Sequence, residues 1–156
     1  MFEIYNSTNK IPEYRYLKMN EILVNFHNKM QFNTELTEEG YNHWVNMILN
    51  DPNYNIILYI VDNEIVAFIC FCYSNIGLWL SEIQIIDDYQ GKGLTKVLIS
   101  KMLELADKTK FNNILGSIAT KNIHSQEVFT HIGMRYNEGK KYYEISYDDL
   151  LNWVEG

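Results

Sequence analysis

What this chain lacks narrows its function before any motif is considered. Basic charge is short: 13 Lys and Arg against 20 Asp and Glu leave a net charge of −7 over 156 residues. A general nucleic-acid binder carries a basic face, so that class is set aside, and cationic small molecules suit the balance better than anionic ones. No apolar run reaches the ~18 to 20 residues of a membrane span. The opening MFEIYNSTNK has no signal-peptide core, so the expectation is a cytoplasmic protein with no membrane partner. Cysteine is limited to Cys70 and Cys72. Two apart on a strand, they share a face, where disulfide geometry is seldom met and no nearby His or Asp completes a metal site. His27, His43, His124 and His131 make no convincing metal set either, because His124 and His131 find no third ligand. With no internal repeat, low-complexity tract or linker, residues 1–156 read as a single domain with a substantial core.

What is present is a run of well-marked elements. Phe2 to Tyr5 reads as a short strand. Pro12 and Glu13 open a helix whose apolar face is Tyr14, Leu17, Ile22, Leu23 and Phe26. Thr37, Glu38 and Glu39 resemble a second helix start, with Trp44, Met47 and Ile48 as its stripe and Asp51-Pro52 as its stop. Two β-rich runs then flank Asp62-Asn63, a pair that tolerates the positive φ of a tight hairpin. A turn over Ser74 to Gly77 leads into LWLSEIQII, so three antiparallel neighbours are expected. Leu94, Val97, Leu98, Met102 and Leu105 recur at helical spacing, NNILGSIAT reads as a strand, and NIHSQEVFTHIGM as a short helix stopped at Gly133. KKYYEISY is a late strand and DDLLNWVEG a terminal helical stretch. The order β-α-α-β-β-β-α-β-α-β places the chain in the α/β class, with mixed layers around one sheet.

The segment DDYQGKGLTKVL, residues 87 to 98, sits between a strand and a helix, where backbone N–H groups can face an anion. It is not a dinucleotide fingerprint: Lys96 stands where a third glycine is required, and the turn follows hairpins rather than opening a βαβ unit. No P-loop sequence occurs. By themselves, Gly91 and Gly93 suit any tight strand-to-helix corner.

The longer stretch EIQIIDDYQGKGLTKVLISKML resembles the central motif of the GNAT superfamily of N-acetyltransferases: a strand, Gln/Arg-x-x-Gly-x-Gly/Ala, then a helix. Gln90 and Gly93 match its first two defining positions, and Thr95 stands where Gly or Ala is usual. NIHSQEVFTHIGM is similar to the family's later Asn-containing strand end and helix. The resemblance implies a mainly antiparallel central sheet flanked by helices, with the fourth and fifth strands splayed. It implies acetyl-CoA as the acetyl donor, its pyrophosphate cradled by Gln90, Gly91, Lys92, Gly93, Leu94 and Thr95. The pantetheine arm would run along Ile83, Gln84 and Ile85 like an added strand. Asn122 and Ser125 match second-motif positions that contact CoA, although both also suit a helix start. Phe129 occupies the place of a frequent tyrosine near the leaving sulfur.

Acetyl transfer to an alkylammonium, pKa near ~10, needs a base. Glu82 is the candidate, sharing a strand face with Gln84 and opposing Ile83 and Ile85, with Glu144 in reserve. The 12 tyrosines offer material for an aromatic amine pocket. The implied activity is direct transfer in a ternary complex to a small amine, polyamine, aminoglycoside or peptide N-terminus. The alternative is a CoA-binding sensor without efficient catalysis, for which Phe129 and Thr95 speak. Exposed late strands leave an edge through which a homodimer could form.

Overall fold

A computed structural model describes residues 1–29, 50, 53–117 and 123–156, with only the backbone described at 27–29 and 123–125. Its frame is a seven-stranded sheet in the order β1-β2-β3-β4-β5-β7-β6. The strands are β1 (Phe2–Asn6), β2 (Tyr54–Val61), β3 (Glu64–Ser74), β4 (Gly77–Ile85), β5 (Asn113–Gly116), β6 (Arg135–Asn137) and β7 (Tyr142–Ser146). Four described helices accompany them: α1 (Glu13–Lys29), α2 (Leu94–Leu105), α3 (Ile123–Ile132) and α4 (Tyr147–Glu155). The expected second helix over Thr37 to Ile48, and its stop at Asp51-Pro52, lie outside the described residues.

Local chemistry accounts for the connections. Asp62 and Asn63 take φ of 51° and 64°, the left-handed pair that a two-residue hairpin requires. Gly133, at φ 98°, ends α3 where a side chain would be strained. Ser146 starts α4 by accepting a hydrogen bond from the Asp149 amide at 3.1 Å. The late strand is shorter than its sequence suggests, Tyr142–Ser146, because Lys141 turns into left-handed backbone and Tyr147 already belongs to α4. NNILGSIAT likewise keeps only Asn113–Gly116 as strand among its described residues. β6 has three residues, too few to show a period, and was not expected.

The two sheet faces carry separate cores. One joins Ile57, Ile69, Leu78 and Leu80 to α2 residues Leu98, Ile99 and Met102, and to Phe129 and Ile132 of α3. The other places Met19 and Leu23 of α1 over Ile56, Leu58, Phe68 and Cys70. α1 is also fastened electrostatically. Arg15, 4% exposed, grips both carboxylate oxygens of Glu3 at 2.9 Å and donates to the Asn63 carbonyl at 2.7 Å. This bidentate pair fixes the helix to β1 and to the β2–β3 hairpin. No described helix is long and apolar enough to cross a membrane.

Two irregularities in β4 shape the site. β4 runs parallel to β5 at only two positions, Leu78↔Ile114 and Trp79↔Leu115. Its pairing with β3 continues to Ala67↔Ile85. From Leu80 to Ile85 the far edge of β4 therefore has no strand partner among the described residues. The register with β3 also slips: Phe71 faces Leu80 while Cys70 faces Glu82, leaving Ser81 as an extra residue. Such a bulge turns the strand's faces over. Leu78 and Leu80 join the α2-side core, whereas Glu82 and Gln84 pair with Cys70 and Phe68 of the α1-side core.

Candidate active site

The glycine turn is built as an anion site would be. Gly91 and Gly93 lie at φ 76° and 78°, backbone that favours glycine, and a Cβ at either would meet open space. Gly93 is the N-cap of α2 and offers no side-chain cap. The helix's first backbone bond runs from the Val97 amide to the Gly93 carbonyl at 3.3 Å. The preceding amides lack a carbonyl four residues back, so they remain for an incoming acceptor, supported by the helix dipole. Gln90 is engaged inside the turn: its amide bonds to the Asp87 carbonyl, and its Nε2 donates to the Ile85 carbonyl at 3.1 Å. Lys92 rests over the Tyr89 ring at 4.8 Å, and Leu94 sends its side chain into the core.

Beside this turn opens a cleft of about 700 Å³. Ile83, Gln84 and Ile85 of β4, Gln90, Gly91 and Thr95 of the turn and helix start, and Phe129 of α3 all line it. Those sequence-expected positions come together. The side chains of Lys92 and Leu94, and Gly93 itself, do not line the cleft. Asn122 lies outside the described residues, and Ser125 is placed on α3 by its backbone alone. Phe129, 4% exposed, packs edge-on to Tyr143 at 5.7 Å and covers Gly116 at the end of β5. It thus forms a firm wall where β5 stops.

Glu82 stands behind that lining. Its Oε2 accepts a hydrogen bond of 2.9 Å from Gln84 Nε2, and Gln84 reaches the cleft. Desolvation pushes the Glu82 pKa up to about 7, and the bond from Gln84 opposes this. A carboxyl so placed can accept or return a proton near neutral pH. Glu144, the reserve, accepts from Asn137 Nδ2 at 3.1 Å at the far side of the sheet, on β7. No group of His, Cys, Asp or Glu suited to a metal is found among the described residues.

Sequence reasoning missed the cleft's other wall. Ile22, Asn25 and Phe26 of α1 line it, with Asp87, Asp88 and Val128. From the sequence Ile22 and Phe26 read as part of an apolar helix face, and that period cannot tell a core from a cleft.

An acetyltransferase from Staphylococcus aureus Mu50, of the GNAT family, superposes with a TM-score of 0.72 at 15% identity, covering 94% of this chain and 99% of that one. A putative streptothricin acetyltransferase from Bacillus anthracis, solved in complex with acetyl coenzyme A, gives 0.55 at 19% identity over 65% of this chain and 67% of its own. An aminoglycoside acetyltransferase from an uncultured soil metagenomic sample, solved with sisomicin, gives 0.60 at 11% identity over 83% and 84%. No curated protein matches the chain by sequence. The family model for the acetyltransferase (GNAT) family covers residues 16–134, from within α1 to the end of the α3 turn, and the chain belongs to that family.

Proposed function

We propose that the chain transfers the acetyl group of acetyl-CoA to a primary amine by direct attack within a ternary complex. The observation that carries this is the placement of Glu82, one residue past the bulge in β4 with its pKa at about 7, next to the strand's open edge. Acetyl-CoA, when bound, supplies the activated thioester. The left-handed Gly91 and Gly93 and the uncapped start of α2 fit its pyrophosphate, and the free edge from Leu80 to Ile85 fits an extended, amide-bearing arm. Phe129 excludes water from the wall beside β5. Glu82 takes the proton that a cationic amine must lose before it becomes a nucleophile.

The test is release of free thiol from acetyl-CoA across a panel of small amines, polyamines, aminoglycosides and peptides. Glu82→Gln should lower turnover ~10²- to 10⁴-fold and leave acetyl-CoA affinity nearly unchanged. A Gln variant with wild-type rate and pH profile would end the base assignment. The second reading, a CoA-binding sensor, is favoured by Phe129, a buried ring with no proton to give. Calorimetric binding of acetyl-CoA without thiol release for any amine would select it.

A further inference from the structure

Gln84 lines the cleft that Glu82 stands behind, and packing alone does not ask for it there. It pairs with Phe68, a fully buried ring of the α1-side core, and is itself 9% exposed. Residues 83 to 86 all line the cleft, and Gln84 alone among them carries a polar side chain. An amide in such surroundings costs free energy unless its groups are bonded. One half is bonded: Nε2 donates to Glu82 Oε2 at 2.9 Å. The other half is open. Gln84 Oε1 accepts no hydrogen bond among the described residues, yet it is not sealed from solvent. An ionised Glu82 fixes this orientation, because a carboxylate only accepts and would repel the amide oxygen. The nitrogen therefore turns inward to the base and the oxygen outward to the cleft. Both sit on one carbon, so the open oxygen stands a few ångströms from the carboxylate. On the facing α1 wall Ile22 and Phe26 offer no acceptor and Asn25 is exposed, while Asp87 and Asp88, also exposed, belong to the approach to the glycine turn.

We propose that Gln84 holds the acceptor nitrogen: its Oε1 accepts one N–H of the amine while Glu82 takes the proton, and this pairing selects primary over secondary amines. The proposal rests on the transferase reading with Glu82 as the base. A primary ammonium has three N–H bonds. Glu82 removes one proton, which leaves two N–H bonds and a lone pair. One of the two stays on Gln84 and survives in the product amide. As the nitrogen attacks the thioester carbon, the C–N bond forms, the C–S bond breaks and sulfur leaves with the electron pair. The second N–H proton goes to that thiolate. The products are the amide, the free thiol and one proton, which Glu82 returns to solvent. No separate acid is required, in keeping with Phe129. A secondary amine reaches the same stage with a single N–H, so it cannot both keep Gln84 and neutralise the thiolate.

Methylammonium, the smallest alkylammonium, probes the contact without acetyl transfer. The side-chain amide NMR signals of Gln84 in the wild-type protein, assigned by their loss in Gln84→Glu, are followed near ~pH 8, where Glu82 is ionised and methylammonium keeps its charge. A saturable shift is expected with methylammonium chloride and none with tetramethylammonium chloride, which has the charge but no N–H to give. Signals that respond alike to both salts, or to neither, overturn the proposal. Gln84→Met keeps the side chain's length and removes the amide. With a primary amine that supports thiol release, kcat/KM should fall about 10-fold or more, as for a lost hydrogen bond to a charged group, and the preference over its N-methyl counterpart should shrink with it. If Gln84 served only to hold Glu82, both amines would slow alike, so an unchanged preference also overturns the proposal. A shift specific to methylammonium in a protein that acetylates no amine upholds the Gln84 contact and sinks the transferase reading. Acetyl transfer with unmoved signals does the reverse.

Discussion

If desolvation holds the Glu82 carboxyl as the structure indicates, folding stability must record it, whatever the acceptor is. The carboxyl titrates at about 7 in the folded chain against an ordinary 4.5. Below ~pH 4 it is protonated in both states and contributes nothing to the pH dependence. As pH rises between the two values, the unfolded chain releases the proton while the folded chain keeps it. Folded protein then binds about one more proton, so stability falls by about 1.4 kcal/mol per pH unit. Above ~pH 7 both states are ionised and the loss levels off near about 3 kcal/mol.

Glu82→Gln replaces the carboxyl with a neutral group of the same shape, so it removes this loss and little else. Urea unfolding followed by circular dichroism, on both proteins from ~pH 4 to 8 at fixed ionic strength, isolates the effect, because shared groups cancel in the difference. The Gln variant should match or trail the wild type at the acidic end. It should then gain on it through neutrality, by about 3 kcal/mol in all. A difference that stays flat with pH would show the carboxyl to be solvated and the base assignment to lack its physical ground. A difference of opposite slope would mean that a cation stabilises the carboxylate.

Two further substitutions probe what surrounds the cleft. Arg15→Met should cost about 3–5 kcal/mol in unfolding free energy, because it strands the Glu3 carboxylate in a largely buried pair. Arg15 holds the Glu3 pKa below its ordinary value, so this cost should shrink as pH falls through the acid range; a loss under about 0.5 kcal/mol would show the pair to be inert. Gly116→Ala would place a Cβ against Cε2 of Phe129 and 3.0 Å from its Cζ. Overpacking of this kind costs about 1–3 kcal/mol, and the ring's displacement should weaken acetyl-CoA binding in the same variant; unchanged calorimetric affinity would remove Phe129 from the cleft wall.

Much of this architecture was legible because local chemistry and global fold agree. Asp62-Asn63 and Gly133 each state one conformation, and the structure adopts it; the apolar periods of α1 and α2 give helices, but Tyr14 and Leu17 of the first and Val97 and Leu105 of the second face solvent, while Met19 and Ile99 take core places instead. β6 was illegible for a physical reason: Arg135 to Asn137 is stabilised by its pairing with β7, not by a pattern of its own. The glycine turn was legible in outline, since two left-handed residues before a helix leave amides free. Which donors remain was not, because Gln90 spends its side chain on the Ile85 carbonyl and Lys92 spends its charge on Tyr89. The α1 wall stayed hidden because Ile22 and Phe26 carry the same period whether they meet protein or an empty groove.

The bulge at Ser81 is the least legible feature and the one on which the chemistry depends. Strict alternation would set Leu78, Leu80, Glu82 and Gln84 on one face. A carboxylate in that series would enter the apolar core beneath α2, where Leu98 and Met102 are fully buried. One extra residue opposite the Cys70–Phe71 step reverses the series and delivers Glu82 and Gln84 to the α1 side instead. No glycine, asparagine or proline marks the place; Ser81 is an ordinary strand residue. The slip occurs just beyond the last pairing of β4 with β5, at Trp79↔Leu115. A strand bound on both edges would resist such a shift, since the ladder fixes its register from two sides. A strand released on one edge can accommodate it. Separation from β5 thus opens the edge on which a pantetheine arm would lie, and the bulge beside it turns the proposed base to the α1 side of the sheet.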